Sequence, residues 1–164
     1  MKKIDLLLIV TLLILIKTID ISFISGTSMM PTLKSNNIAI TVKPKQITRG
    51  DIVGIKVLNE NLCKRVVAIP YDTILFDVEN SIIYVNGEKE SYSDYAEPMQ
   101  TKIDYLTNYF LTNSYEYKQY ILKDNQYFVL GDNRGASTDS RNFGYISKEK
   151  ILCEFIFILP LGFE

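Results

Sequence analysis

The chain carries serines, lysines and carboxylates fit for hydrolytic chemistry, yet no histidine among its 164 residues. That excludes Ser-His-Asp and Cys-His catalysis and any histidine-based metal site. A side-chain nucleophile must then take Lys or a carboxylate as its base. Ser28 lies in "SGTSMMPTL" (25–33), where small hydroxyl residues meet two methionines and a proline. A serine hydroxyl is almost wholly protonated at neutral pH, so as a nucleophile it needs a base. Lys64, in "CKRVVAIPYD" (63–72), can be that base once its ammonium loses a proton. The flanking Leu62, Val66, Val67 and Ile69 predict an apolar setting, and burial could bring a lysine pKa to about 7–8. On a strand Lys64 and Arg65 point to opposite faces, so one can be buried while the other is solvated or paired.

A third stretch, "GDNRGASTDSRNFG" (131–144), supplies support. Ser137 could hydrogen-bond the lysine amine, and Asp139 and Arg141, two apart, could pair and fix the turn. Each stretch alone has a plainer reading: a turn serine, a solvated Lys-Arg pair, a polar turn. Only together do they form a coherent site. Ser147-Lys148-Glu149-Lys150 has the Ser-x-x-Lys spacing of a β-lactamase-type site, but no Ser-Asp-Asn or Lys-Thr-Gly accompanies it.

These residues need a scaffold. At 47% hydrophobic and 23% charged the chain is globular, and a net charge of −1 without a basic run gives no argument for nucleic acid. Lys2 and Lys3 precede a run from Leu6 to Ile16 interrupted only by Thr11. Eleven helical residues cover roughly 16 Å, half a bilayer core; extension to Ile24 gives about 31 Å and includes Asp5, Lys17 and Asp20. Residues 1–24 are therefore expected to be a retained anchor with a cytoplasmic N-terminus and the catalytic domain, 25–164, on the far side. The alternative is a cleavable signal peptide, but cutting near Ser25-Gly26-Thr27 would sever the stretch that holds Ser28.

Beyond Ile38 the pattern is of strands. "IAITV", "IVGIKVL" and "LCKRVVAI" are β-branched, Asn86-Gly87 signals a hairpin, "QYFVLGDN" is a strand entering a turn, and "ILCEFIFILP" reads as a buried strand. Residues 91–120, polar and tyrosine-rich, suggest a surface insertion or small cap with a short helix around Tyr105 to Leu111. The expected fold is mostly β, an antiparallel sandwich or barrel on a membrane stalk. Cys63 and Cys153 are too far apart in sequence for a metal knuckle; buried free thiols are expected, a disulfide being the lesser reading.

The three stretches, with "RGDIV" at 49–53, resemble in content and order the four boxes of bacterial type I signal peptidases, membrane-bound Ser-Lys proteases that remove signal peptides. The resemblance implies Ser28 as nucleophile, Lys64 as general base, Ser137 as the residue orienting the lysine, and Asp139 and Arg141 as supports. The short chain and single anchor are similar to the Gram-positive branch. There the position two before the nucleophile, here Gly26, commonly lacks a hydroxyl, so the Ser28 N–H would supply much of the oxyanion hole. The family binds substrate as an extended strand, by resemblance between residues 21–26 and 60–63, with Ile24, Met29, Leu33 and Cys63 lining shallow pockets for small residues. It implies no cofactor or metal, a monomer, and signal-peptide-bearing pre-proteins and membrane lipid as partners. Alternatives are a dedicated peptidase for pilin or conjugation substrates and a non-enzymatic assembly factor for surface polymers. Two departures stand out: Tyr71 replaces a turn glycine, and Cys63 replaces an aliphatic residue.

Overall fold

The computed structural model describes residue 8 and residues 18–57, 59–77, 80, 82–90 and 117–160. Among these, eleven strands pair antiparallel into two sheets. In chain order they are β1 (Ile19–Phe23), β2 (Ile38–Val42), β3 (Ile52–Val57), β4 (Glu60–Ala68), β5 (Thr73–Asp77), β6 (Ile82–Val85), β7 (Glu88–Lys89), β8 (Tyr117–Ile121), β9 (Gln126–Leu130), β10 (Ile146–Ser147) and β11 (Ile151–Leu159). The larger sheet runs β1-β2-β11-β3-β4-β9-β10 and the smaller β7-β6-β5-β8. A single helical turn, α1 (Ser140–Phe143), lies beside β9.

Local chemistry accounts for the elements. β2, β3, β5 and β6 alternate buried and less buried residues, the period of a sheet with one face in a core. At the β6–β7 hairpin Asn86 (φ 54°) and Gly87 (φ 84°) adopt the left-handed pair that a two-residue turn between twisted strands requires. β4 is buried throughout Lys64–Ala68 because its two faces serve two cores. Val66 packs with Val53, Ile55, Val129 and Ile151, whereas Val67 and Ala68 pack with Ile74, Phe76, Phe128 and Leu130. A third cluster holds Ile24, Met29, Leu33 and Ala39, with Ile52, Cys63, Phe155 and Ile158 against it.

Several expectations change. No helix among the described residues is long and apolar enough to cross a membrane, and residues 1–7 and 9–17, most of the expected anchor, lie outside them. Helical extension to Ile24 does not occur: Ile19–Phe23 is β1, an edge strand hydrogen-bonded to β2. β11 is not fully buried, since Leu152, Ile156, Phe157 and Leu159 are exposed. Of the proposed insertion, residues 117–120 belong to β8 in the smaller sheet. Residues 91–116, including the expected helix around Tyr105 to Leu111, lie outside the described residues. Cys63 and Cys153 are free, as expected, but half-buried rather than buried; both pair with Gly54, so β3 separates them. Two strand spacings, about 9.6 Å, exceed the Cα separation a disulfide spans.

Candidate active site

The turn that carries Ser28 is seated by apolar contacts on either side of it. Ile24 and Met29 are buried and Leu33 has no exposed surface, which holds residues 24–33 against the larger sheet. Backbone bonds close the loop, Leu33 N–H to Met29 O at 2.8 Å and Ile24 N–H to Asn37 O at 2.9 Å. Gly26, at φ 88°, occupies a left-handed position that favours glycine, and the space a side chain would take is open. The Met30-Pro31 peptide is cis.

Lys64 comes from the middle of β4, opposite Val53 of β3. Its side chain is buried, and Nζ donates a hydrogen bond to Ser28 Oγ at 2.8 Å. Residues 36 apart in sequence are thus joined at the atoms that a nucleophile and base must share. Burial lowers the lysine pKa; the Asp139 carboxylate opposes this and the Arg141 guanidinium adds to it.

Arg65, on the other face of β4, is also buried. It makes a bidentate pair with Asp132, Nε to Oδ1 at 2.8 Å and Nη2 to Oδ2 at 2.6 Å, and donates through Nη1 to Gly50 O at 2.7 Å. The Arg49-Gly50-Asp51 turn therefore braces β4: Gly50 N–H bonds Val66 O and Val66 N–H bonds Asp51 O. Arg49 in turn pairs with buried Asp72. Tyr71, where a glycine was expected, still adopts φ 72° with its side chain in solvent, and the turn holds through Tyr71 N–H to Leu122 O.

The loop from Gly131 to Ser140 docks on the Ser28 turn. Asn133 N–H donates to Ser28 O at 3.0 Å, and Asn133 Nδ2 to Thr27 O at 3.1 Å. Gly131 lies between the two serines. A Cβ placed there would overlap Ser137 Oγ and come within 2.5 Å of both Ser137 Cβ and Ser28 O. Only glycine fits that approach. Ser137 Oγ is buried and makes no hydrogen bond among the described residues, so the expected bond to the lysine amine is not made in this arrangement. Asp139 caps α1 and receives Gly131 N–H at 3.0 Å. It also pairs with Arg141 through two contacts of 2.8 Å, and Arg141 reaches back to Arg134 O at 2.7 Å.

Sequence reasoning singled out Ser28, Lys64, Ser137, Asp139 and Arg141, which the fold gathers here. Ile24, Met29, Leu33 and Cys63 share one cluster, in which Ile24, Met29 and Leu33 are buried and Cys63 is half-buried. Gly131, Asp132, Asn133 and Arg134 were quoted only as part of a turn, and Glu90 was not singled out at all. For the first four the signal was the 131–144 stretch whose resemblance to the family contains them, whereas nothing around Glu90 marks it. No group of three or more metal-ligating side chains occurs among the described residues.

The family described as "Signal peptidase, peptidase S26" matches residues 1–159. The chain belongs to that family. It is 37% identical over 138 residues to signal peptidase I of Bacillus caldolyticus, covering 79% of this chain and 72% of that one. Against signal peptidase I S of Bacillus subtilis (strain 168) identity is 34% over 137 residues, 78% of this chain and 70% of the relative. Signal peptidase IB of Staphylococcus aureus (strain Mu50 / ATCC 700699) is 35% identical over 140 residues, 79% and 71%. A crystal structure of a signal peptidase I from Enterococcus faecalis aligns over 65% of this chain and 94% of its own, at TM-score 0.42 and 22% identity.

Proposed function

We propose that this chain is a membrane-anchored serine endopeptidase that removes N-terminal signal peptides from pre-proteins by a Ser-Lys dyad. The observation that carries the reading is the 2.8 Å contact between a buried lysine amine and a serine hydroxyl, in a chain without histidine. With Lys64 neutral, Ser28 Oγ–H donates along that line as it attacks the scissile carbonyl. The lysine then returns the proton to the departing amine, and water, activated the same way, releases the acyl group from Ser28. The Ser28 N–H stabilises the developing oxyanion. Ser137, close to Gly131 as Ser28 O is, is assigned the part of orienting the amine, and Asp139 and Arg141 hold that loop.

Substrate enters as an extended strand between two sheet edges. β1 is the last strand of the larger sheet, and β4 pairs with β9 only from Arg65 onward, leaving Glu60–Lys64 unpaired by strand on that side among the described residues. The substrate's small side chains are assigned to the surface over the cluster of Ile24, Met29, Leu33 and Cys63, where Cys63 is half-buried. None of these four carries charge, which favours small residues at −1 and −3 from the cut.

The outer face of β1, β2 and β11 favours a membrane setting. Ile21 pairs with Ile40 and that with Phe157; Phe23 pairs with Ile38 and that with Leu159. Directly paired residues share a face, and Ile21, Phe23, Phe157 and Leu159 are exposed. This apolar band adjoins the end of the expected anchor. The test is cleavage of a secretory pre-protein by the purified full chain, with products mapped by mass spectrometry. Expected is one cut after a small residue, lost on Ser28→Ala and reduced at least a hundredfold by Phe at −1. Equal cutting with Phe or Lys at −1 contradicts the pocket assignment, and no cutting contradicts the activity.

A further inference from the structure

A buried ion pair links the smaller sheet to the loop that bears Ser137. Glu90 directly follows β7, held there by its N–H to Ile83 O at 2.9 Å. Its carboxylate meets Arg134 Nη1 at 2.6 Å, and the two side chains are 5% and 1% exposed. The Arg134 guanidinium does more than neutralise: Nε donates to Gly131 O at 2.9 Å, while Arg134 O receives Arg141 Nη2. Gly131 is the residue wedged between Ser137 and Ser28 O. A chain of contacts therefore runs from Glu90 through Arg134 and Gly131 to the two serines.

We infer that Glu90 is a positioning residue for catalysis: from the smaller sheet it fixes the Arg134 guanidinium, which sets the Gly131 peptide and hence the spacing of Ser137 from Ser28. This rests on the Ser-Lys reading of the site. Stability alone does not account for the pair. A buried ion pair is often no more stabilising than an apolar pair of equal volume, because desolvation offsets the Coulomb gain. What an apolar pair cannot supply is the donor to Gly131 O. A displacement of Ser137 or Ser28 by about 1 Å is enough to cost on the order of a hundredfold in rate.

The stability and positioning roles separate in a double substitution. Glu90→Ala should unfold at lower temperature and lose cleavage, because Arg134 is left buried without its counter-charge. Glu90→Leu with Arg134→Met removes both charges at similar volume and should recover most of the lost Tm. The inference expects this double variant to keep a kcat at least tenfold below wild type, with KM within about twofold. Glu90→Gln, which retains an acceptor for Arg134, should lie between wild type and Glu90→Ala in kcat. The assay is cleavage of one pre-protein by the full chain, with wild type and Ser28→Ala alongside. Recovery of kcat together with Tm in the double variant overturns the inference, since the pair would then serve stability only. A wild type that does not cleave, or a Ser28→Ala that does, defeats the Ser-Lys reading instead.

Discussion

In the proposed mechanism Lys64 is the residue on which the chemistry turns, and its burial has two measurable consequences. An amine that works as base must be neutral, so cleavage should rise with pH through an apparent pKa below the ordinary lysine value of 10.5. The same burial acts on stability. Between the lowered folded pKa and 10.5 the unfolded chain binds a proton that the folded chain does not, so stability rises with pH there. The penalty is full below the folded pKa and gone above 10.5. Lys64→Met, similar in length and uncharged, should therefore abolish cleavage while raising Tm by about 2–4 °C near pH 6 and by less near pH 10. Differential scanning calorimetry at the two pH values checks this; an equal or reversed shift contradicts it. At this scale the sequence was informative because the absence of histidine left few bases and the apolar flanks of Lys64 marked a buried strand. Arg65 was less legible. Strand alternation separated it from Lys64, but nothing local indicated that it would be buried against Asp132, 67 residues away. A bidentate pair of that kind makes Arg65→Lys a disruptive change.

The loop from Gly131 to Phe143 shows how one element serves several atoms at once. Asp139 caps α1, receives Gly131 N–H and pairs with Arg141, so Asp139→Asn removes a buried charge from three roles. It should cost about 3–5 kcal/mol in urea unfolding, the range for breaking a buried pair from one side; a loss under 1 kcal/mol would mean the loop is held otherwise. Gly131→Ala should lower kcat at least a hundredfold, since its Cβ must push apart Ser137 and the Ser28 carbonyl. Cleavage at wild-type rate would show that the two serines need no close approach. Strands with regular alternation, β2, β3 and the β6–β7 hairpin, were legible from their pattern and the Asn-Gly turn. β1 was not: Ile19-Asp20-Ile21-Ser22-Phe23 alternates apolar and polar as a strand does, but the length needed to span a bilayer drew it into the expected anchor. β8 hid in a tyrosine-rich stretch whose strand character depends on pairing with β5.

At the scale of the molecule, the larger sheet joins an apolar outer face to the Ser28 turn through β1, and the smaller sheet reaches the loop that bears Ser137 through the Glu90–Arg134 pair. Sequence could announce neither, since both depend on strand order. Phe157→Ser with Leu159→Ser, both exposed on β11 and away from the substrate edge, should weaken cleavage of a pre-protein in lipid vesicles by at least fivefold while leaving a short soluble peptide unaffected; equal loss on both substrates would make the face structural. The central claim is that Lys64 is the base for Ser28, and one substitution separates base from ion-pair partner. Arginine keeps charge and approximate length but holds its proton above pH 12, so it cannot accept one from serine. Single-turnover cleavage of one pre-protein by Lys64→Arg, with the fold verified by circular dichroism, should show no product above that of Ser28→Ala at any pH. A Lys64→Arg variant retaining a tenth or more of wild-type rate would contradict the Ser-Lys mechanism.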